Sequence, residues 1–446
     1  MPRRAPKPLS EAEIDQLILL ARGNALARQI QAERAERARH SAALLQRHLP
    51  CAHASDEALK ILMITDVYFP RVNGVSTSVA SFRDALERQG HQVVVVCPDY
   101  PVGQVEEPGV LRIASRGVPG DPEDRMMRLR PLLDLRPQLD EAGFDLIHLH
   151  TPFVAHVAGI RLGRRLGIPV VATYHTLFEE YLHHYVHWMP ERWLRLAARR
   201  FSARQCHQLS GVIVPSTAMR EALTRYGVTT PMEVIPTGLA LETFTRPSKE
   251  SDFRARYDLP GNARLLLYVG RAAFEKNIGF LIEMLPGVLA EHPDARLIIT
   301  GEGPAQAALA RQAREAGLTE AVVFLGYLDR DGPLQAAYRA ADLFVFASRT
   351  ETQGLVLLEA MALGTPVVST AVMGTRDLLR EGGGCLIAEE DPGDFAAKVN
   401  RLLSDDDLRR ALGERARALA AGWHENARAA ELVALYRRCL DQGTAG

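Results

Sequence analysis

Short, wholly apolar runs recur along the chain, each followed by a helix-prone segment. Ile61-Leu62-Met63-Ile64-Thr65 is the first and reads as a buried strand ending in a loop. A helix is predicted over 75–88, Gly90 follows it, and a second strand is predicted over 92–97. The alternation continues through strands at 145–150, 169–175, 211–215 and 232–236. A second series runs through 264–270, 295–301, 321–326, 342–347 and 365–369. Strands that are apolar throughout and joined by helices form parallel sheets covered on both faces.

The segment 239–262 between the two series is polar and carries Pro247 and Pro260-Gly261, so it reads as a linker. The expected fold class is α/β: two doubly wound Rossmann-like domains facing a cleft. The first spans 58–238 and the second 263–425, with a C-terminal helix and tail over 426–446. Residues 1–57 read as a helical N-terminal extension, because 11–49 lacks proline and is rich in Ala, Leu, Arg and Gln. Nine basic and five acidic residues in 1–49 give it a charge of +4. It is either a solvated extension packed on the body or a partner-binding arm.

Composition removes several function classes. The 446 residues carry 53 Lys and Arg against 54 Asp and Glu, a net charge of −1, which gives no footprint for nucleic acid. No run of about 18 apolar residues is present to cross a membrane. The basic start, MPRRAPKPLSEAEIDQ, lacks the apolar core of a secretory signal. Five scattered cysteines show no zinc or redox spacing and read as reduced thiols of a cytoplasmic protein.

In open α/β sheets, ligands lie beyond the carboxyl ends of the strands. The loop after the first strand, DVYFPRVNGVSTSV, holds Asn73-Gly74, which allows a tight turn and a close backbone approach ahead of a helix N-terminus. The dinucleotide fingerprint Gly-x-Gly-x-x-Gly is absent, and in GEGPAQ Gln306 stands where its third glycine belongs. A nicotinamide cofactor therefore loses support. In the second domain, GRAAFEKN follows a strand and sets Arg271 and Lys276 at the sheet edge. A planar fork and a movable point charge suit a pyrophosphate, although salt-bridged surface cations would read the same way.

The most informative segment is ASRTETQGLVLLEAMALGTPVV. Glu351 lies in a loop after a strand and Glu359 on the following helix, with seven residues between them. Amides around Gln353, Gly354 and Leu355 at the helix start can hold phosphate oxygens. Carboxylates beside an anion site are unfavourable unless they accept hydroxyl hydrogen bonds. The pattern therefore points to a phosphate flanked by hydroxyl groups, as in a nucleoside diphosphate sugar. A capping Glu351 and a surface Glu359 are the plain alternative.

With GRAAFEKN upstream and GEGP between, this arrangement resembles the retaining glycosyltransferases of family four with the GT-B fold. The resemblance covers about residues 59–440. The wording of YHTLFEEY, VIPTG, GRAAFEKN and TETQGL is similar to the diacylglycerol glucosyltransferases and related glycolipid-synthesising enzymes. It implies that Gly74 approaches the donor phosphates and that His175 lies near the donor sugar. It further implies that Arg271 and Lys276 hold the pyrophosphate, Glu351 the sugar hydroxyls and Glu359 the ribose hydroxyls. Gln353 and Thr237 depart from an aromatic residue and an Asn common in such enzymes.

The expected reaction is transfer of a hexose from a UDP- or GDP-linked sugar to an acceptor hydroxyl, with no metal and no other cofactor. The acceptor is expected to be a glycolipid precursor such as diacylglycerol. Alternatives are a soluble sugar or polysaccharide acceptor, a nucleotide-sugar epimerase of the same fold, or a non-catalytic nucleotide-sugar-binding protein. His148 and His150 share a strand face but have no evident third metal ligand. Asp329-Arg330-Asp331 lies beside Gly332-Pro333 and reads as a helix cap. The segment 191–204 bears five Arg against one Glu, with Trp193 and Leu196 beside the basic stripe. A helix of that kind suits an anionic membrane surface, at the inner face of the plasma membrane, or else faces the core with a solvated basic side.

Overall fold

The computed structural model describes residues 57–443 except 102, 104, 119–120, 178–190, 247–252 and 331. The helical reading of the N-terminal extension, Cys51, the end of YHTLFEEY and Asp331 thus lie outside the described residues.

The first domain is built on a seven-stranded sheet of order β3-β2-β1-β6-β7-β8-β9. Its strands are β1 (Lys60–Ile64), β2 (Gln92–Pro98), β3 (Val110–Ile113), β6 (Leu146–Leu149), β7 (Val170–Thr173), β8 (Gly211–Val214) and β9 (Met232–Val234). The pairings in this sheet are parallel. The second domain carries a six-stranded sheet of order β12-β11-β10-β13-β14-β15. These strands are β10 (Leu265–Val269), β11 (Arg296–Thr300), β12 (Val322–Gly326), β13 (Leu343–Phe346), β14 (Val367–Ser369) and β15 (Cys385–Ile387). Every residue of β2 is buried, as continuous apolar runs require when helices cover both faces. In each sheet the order reverses at the central pair, β1 beside β6 and β10 beside β13, which opens a crevice at their carboxyl ends.

Three departures from the sequence reading matter. A hairpin of β4 (Ser115–Val118) and β5 (Asp121–Met127) stands outside the main sheet, where polar, charged residues hide any strand period. The linker is less polar in place than in sequence: it forms two short helices, Leu241–Phe244 and Phe253–Arg256. Their Phe244 and Phe253 join the core of the second domain.

The third concerns the last helix, Glu425–Gly443, which returns to the first domain. Its Leu432, Leu435 and Tyr436 pack with Ile61, Val79, Phe82 and Leu86. The Leu239 N–H donates to the Trp423 carbonyl at 3.0 Å, so the chain crosses between domains twice at one place. Elsewhere Thr217 of the first domain donates its N–H and hydroxyl to the Asp377 carboxylate of the second, at 2.6 and 2.5 Å. Cys97, Cys206, Cys385 and Cys439 are buried free thiols.

Candidate functional site

The two crevices face each other and form one cleft of about 660 Å3. Gly74, His175, Arg271, Lys276, Glu351, Gln353, Gly354, Leu355 and Glu359 all line it. Residues separated by up to 285 positions thus converge because each follows, or lies one helical turn beyond, the carboxyl end of a strand.

Gly74 does not occupy a tight turn. It is the first residue of the helix Gly74–Arg88, and the Asn73 side chain caps that helix by accepting from the Val75 and Ser76 N–H groups at 3.0 and 2.9 Å. The Ser76 hydroxyl accepts in return from the Asn73 N–H at 2.9 Å. A reciprocal cap of this kind contributes about 1 kcal/mol. It also takes up amides that an anion might have used, so the helix turns mainly its Gly74 end to the cleft. A Cβ there would meet nothing within 4 Å, and the space belongs to the cleft.

On the second domain the loops are held by glycines. A Cβ at Gly301 would lie 2.1 Å from the Gly270 carbonyl oxygen, and φ there is +117°. GEGP therefore lets the loop after β11 abut the loop after β10, with the Ala272 N–H donating to the Glu302 carbonyl at 3.0 Å. This backs the turn that carries Arg271 and Lys276. Lys276 Nζ donates to Glu351 Oε2 at 2.7 Å. The pair is partly accessible, and an incoming phosphate would meet the cation from the cleft side. Gly354, at φ +90°, caps the helix Leu355–Ala362, whose N-terminus points its partial positive charge into the same space.

Glu359 is fully buried, at 0% exposure, and needs a partner there. Arg330 pairs with its Oε1, and the Tyr338 hydroxyl donates to its Oε2 at 2.9 Å. Burial, then the adjacent Glu359 charge, pushes the Tyr338 hydroxyl well above its usual range. The helix Pro333–Ala340 begins directly after the segment Asp329-Arg330-Asp331 and Gly332, and the Asp329 carbonyl accepts from the Leu334 N–H at 2.9 Å; no side chain among the described residues caps it, and Asp331 lies outside them. Arg330 lines the cleft. Nothing in the local sequence distinguishes it from a surface arginine; only the tertiary approach of the helix Leu355–Ala362 does.

Gln353 is 7% exposed, and its amide clasps the end of the first domain. Its Oε1 accepts from the Thr237 N–H at 2.8 Å and its Nε2 donates to the Thr237 carbonyl at 2.7 Å. Thr237 Oγ1 in turn lies 2.6 Å from Ser78 Oγ on the first domain. A planar amide can pair both ways with one backbone unit, as an aromatic ring cannot, which accounts for Gln here alongside Thr237.

His175 lies two residues beyond β7 and is half-buried at the cleft. Its Nε2 lies 3.2 Å from His150 Nδ1. The His150 ring lies tilted against His148, centroid to centroid 4.0 Å, and His148 bonds Thr173 Oγ1 at 2.8 Å and the Tyr436 hydroxyl at 2.7 Å. The last helix is thereby tied to the cleft through three histidines. Burial lowers His175 to about 4 and His148 to about 3, so both rings are neutral near pH 7.

Comparison with known proteins places this geometry in context. Residues 249–419 match the family described as glycosyl transferases group 1, and residues 72–243 match glycosyltransferase family 4. The chain is 35% identical over 321 residues to the alpha-monoglucosyldiacylglycerol synthase of Streptococcus pneumoniae, covering 70% of this chain and 71% of that protein. It is 28% identical to the enzyme of the same name from Acholeplasma laidlawii, over 70% of this chain and 80% of that one. Among solved structures, a sucrose-phosphate synthase from Thermosynechococcus elongatus superposes with a TM-score of 0.69 at 25% identity, covering 86% of this chain and 100% of that one.

Proposed function

The chain belongs to the glycosyltransferases of group 1 and family 4, and we propose that it moves a hexose, with retention of anomeric configuration, from a UDP- or GDP-linked donor to the hydroxyl of a glycolipid precursor such as diacylglycerol. The observation that carries this reading is the meeting of Arg271, Lys276 and the start of the helix Leu355–Ala362 on one wall of the cleft, opposite His175 and Gly74. In the reaction, the bond from the anomeric carbon to the diphosphate oxygen breaks, and a bond to the acceptor oxygen forms on the same face. The departing phosphate oxygen takes the acceptor proton. Negative charge grows on the diphosphate, and the two cations and the helix terminus stabilise it without reorganising. Glu351 and Glu359 orient hydroxyls of the sugar and ribose, and neutral His175 offers the sugar a hydrogen bond rather than a charge. No metal is needed in this scheme, because fixed cations meet the diphosphate.

A lipid acceptor is supported by the names of the similar enzymes and by one surface. The helix Glu191–Cys206 buries Leu194, Ala198 and Ser202 while leaving Trp193 53% and Leu196 37% exposed among its arginines. Of the two readings of this helix, the exposed apolar side chains favour adsorption to an anionic membrane face. The test is a screen of labelled UDP- and GDP-hexoses against diacylglycerol vesicles and soluble sugars. Label in the lipid fraction, dependent on both substrates, is the expected result. Label only in soluble glycosides, or a rearranged donor formed with no acceptor present, would refute the proposal.

A further inference from the structure

Two side-chain contacts repeat between β6 and β7 at the same offset of 25 positions, His148 with Thr173 and His150 with His175. The strands pair in parallel with His148 opposite Val171, so each contact steps two residues further along β7. Side chains two residues apart share a face of the sheet, which sets the two contacts one above the other. The first is closed on both sides, His148 bonding Thr173 through Nε2 and the Tyr436 hydroxyl through Nδ1. His150 is held by the sheet: its N–H donates to the Ile64 carbonyl at 3.1 Å, and the residue is 2% exposed. His175 lies beyond the last residue of its strand, at the cleft.

The second contact fixes which nitrogens carry protons. Burial holds His150 well below its usual value and His175 at about 4, so each ring is neutral, with one N–H and one bare nitrogen. His150 Nδ1 and His175 Nε2 are 3.2 Å apart, and one of them donates. Were His175 the donor, His150 would carry its proton on Nε2, which is buried and has no hydrogen-bond partner among the described residues. With His150 as donor, that enclosed position holds only a lone pair. Orphaned buried N–H groups are the rarer of the two in folded proteins. The proton therefore sits on His150 Nδ1, and the single proton of His175 is left on its own Nδ1.

We propose that His150 is a positioning residue for hexose transfer: it fixes the orientation and tautomer of His175, so that His175 presents an N–H donor rather than a bare nitrogen to an oxygen of the donor sugar. The assignment rests on the glycosyl-transfer reading above and adds to it the direction of one hydrogen bond at the reaction centre. Glu351, in the same cleft, accepts from sugar hydroxyls in that reading, and a donor at His175 complements it.

The full chain carrying isotope-labelled histidine is measured near pH 7 by long-range proton–nitrogen correlation, with the His175 ring signals assigned by their loss in His175→Gln. A proton on Nδ1 of His175 is the expected result; a proton on its Nε2 would overturn the proposal, with no substrate involved. In hexose transfer to diacylglycerol, His150→Leu should lower kcat about tenfold. Unchanged UDP or GDP binding controls for folding. His150→Asn, whose amide N–H stands near the place of Nδ1, should recover most of the loss, and His150→Asp, of the same shape but an acceptor, should not. Equal kcat in the Leu and Asn variants, or recovery by Asp, would overturn the positioning role while leaving glycosyl transfer standing. Absence of transfer from every UDP- and GDP-linked hexose would overturn the underlying reading and the role of His150 in it, while the spectrum would still report the tautomer.

Discussion

Lys276 Nζ lies 2.7 Å from Glu351 Oε2, joining the loops that follow β10 and β13 across the two central strands of the second sheet. The pair holds a cation and a carboxylate at the mouth of the crevice, where a diphosphate with a sugar attached would meet each with its complement. Arg271→Ala or Lys276→Ala should lower turnover roughly 100-fold or more, the scale seen when one electrostatic donor is removed. Lys276→Ala also leaves Glu351 facing the phosphate unneutralised, so its donor KM should rise. Steady-state kinetics that match wild type in both variants would remove the pyrophosphate assignment.

Arg330 and Glu359 predict a stability effect. Glu359 is buried, and removing its cation leaves a carboxylate with only the Tyr338 hydroxyl. Arg330→Ala should destabilise the fold by about 3 kcal/mol. Chemical denaturation measures this, and a loss under about 0.5 kcal/mol, the range of an ordinary surface change, would mean that the pair is solvated.

The histidines predict a pH dependence. His175 and His156 sit at about 4 and His148 at about 3, each lowered first by burial, against about 6.5 in an unfolded chain. Between those values the unfolded state binds more protons than the folded one. The stabilisation is therefore complete above about pH 6.5 and is lost as pH falls towards 4. Carboxyls raised by burial, Asp66 among them, act in the opposite sense, but from the carboxylate range. The melting temperature should fall between pH 7 and pH 5; a flat profile there would contradict the burial of these rings.

Tyr436 should matter beyond its own helix. Its hydroxyl lies 2.7 Å from His148 Nδ1, and both groups are buried. Tyr436→Phe leaves a ring nitrogen unpaired and should cost about 1–3 kcal/mol. Thermal denaturation with no shift would show that the contact is dispensable.

How much of this was legible in the chain depends on range. The two strand series, the cleft residues Arg271, Lys276, Glu351 and Glu359, and the position of His175 follow from apolar runs and from motifs a few residues long. Arg330 and Tyr338 escaped because their partner lies more than 20 positions away and no local pattern marks the contact. Gln353 was legible as a departure, but its clasp on Thr237, 116 positions earlier, was not. The return of the last helix to the first domain was hidden for the same reason: Tyr436 and His148 are 288 positions apart. The hairpin β4–β5 shows no period in the sequence because polar and charged residues fill much of its strands.

The arginine-rich helix makes the membrane reading testable. Sedimentation with vesicles should bring the protein down as anionic lipid increases and release it as salt rises. Trp193→Glu with Leu196→Glu should abolish the effect without changing nucleotide binding. Equal recovery in the supernatant with neutral and anionic vesicles at low salt would leave the helix as a solvated face.

The same charge arrangement predicts metal independence. Activity should survive an excess of EDTA, since Arg271 and Lys276 supply the positive charge that a divalent ion would otherwise bring. Loss in EDTA with recovery on adding Mn²⁺ or Mg²⁺ would show that these cations do not suffice.

The central claim is that the cleft transfers a hexose to a lipid hydroxyl with the configuration of the donor kept. The most direct measurement is the proton NMR coupling at the anomeric centre of the lipid product formed from an α-linked nucleoside diphosphate hexose and diacylglycerol. An α-glycosidic lipid is the predicted result, and a β-linked lipid product would contradict the account.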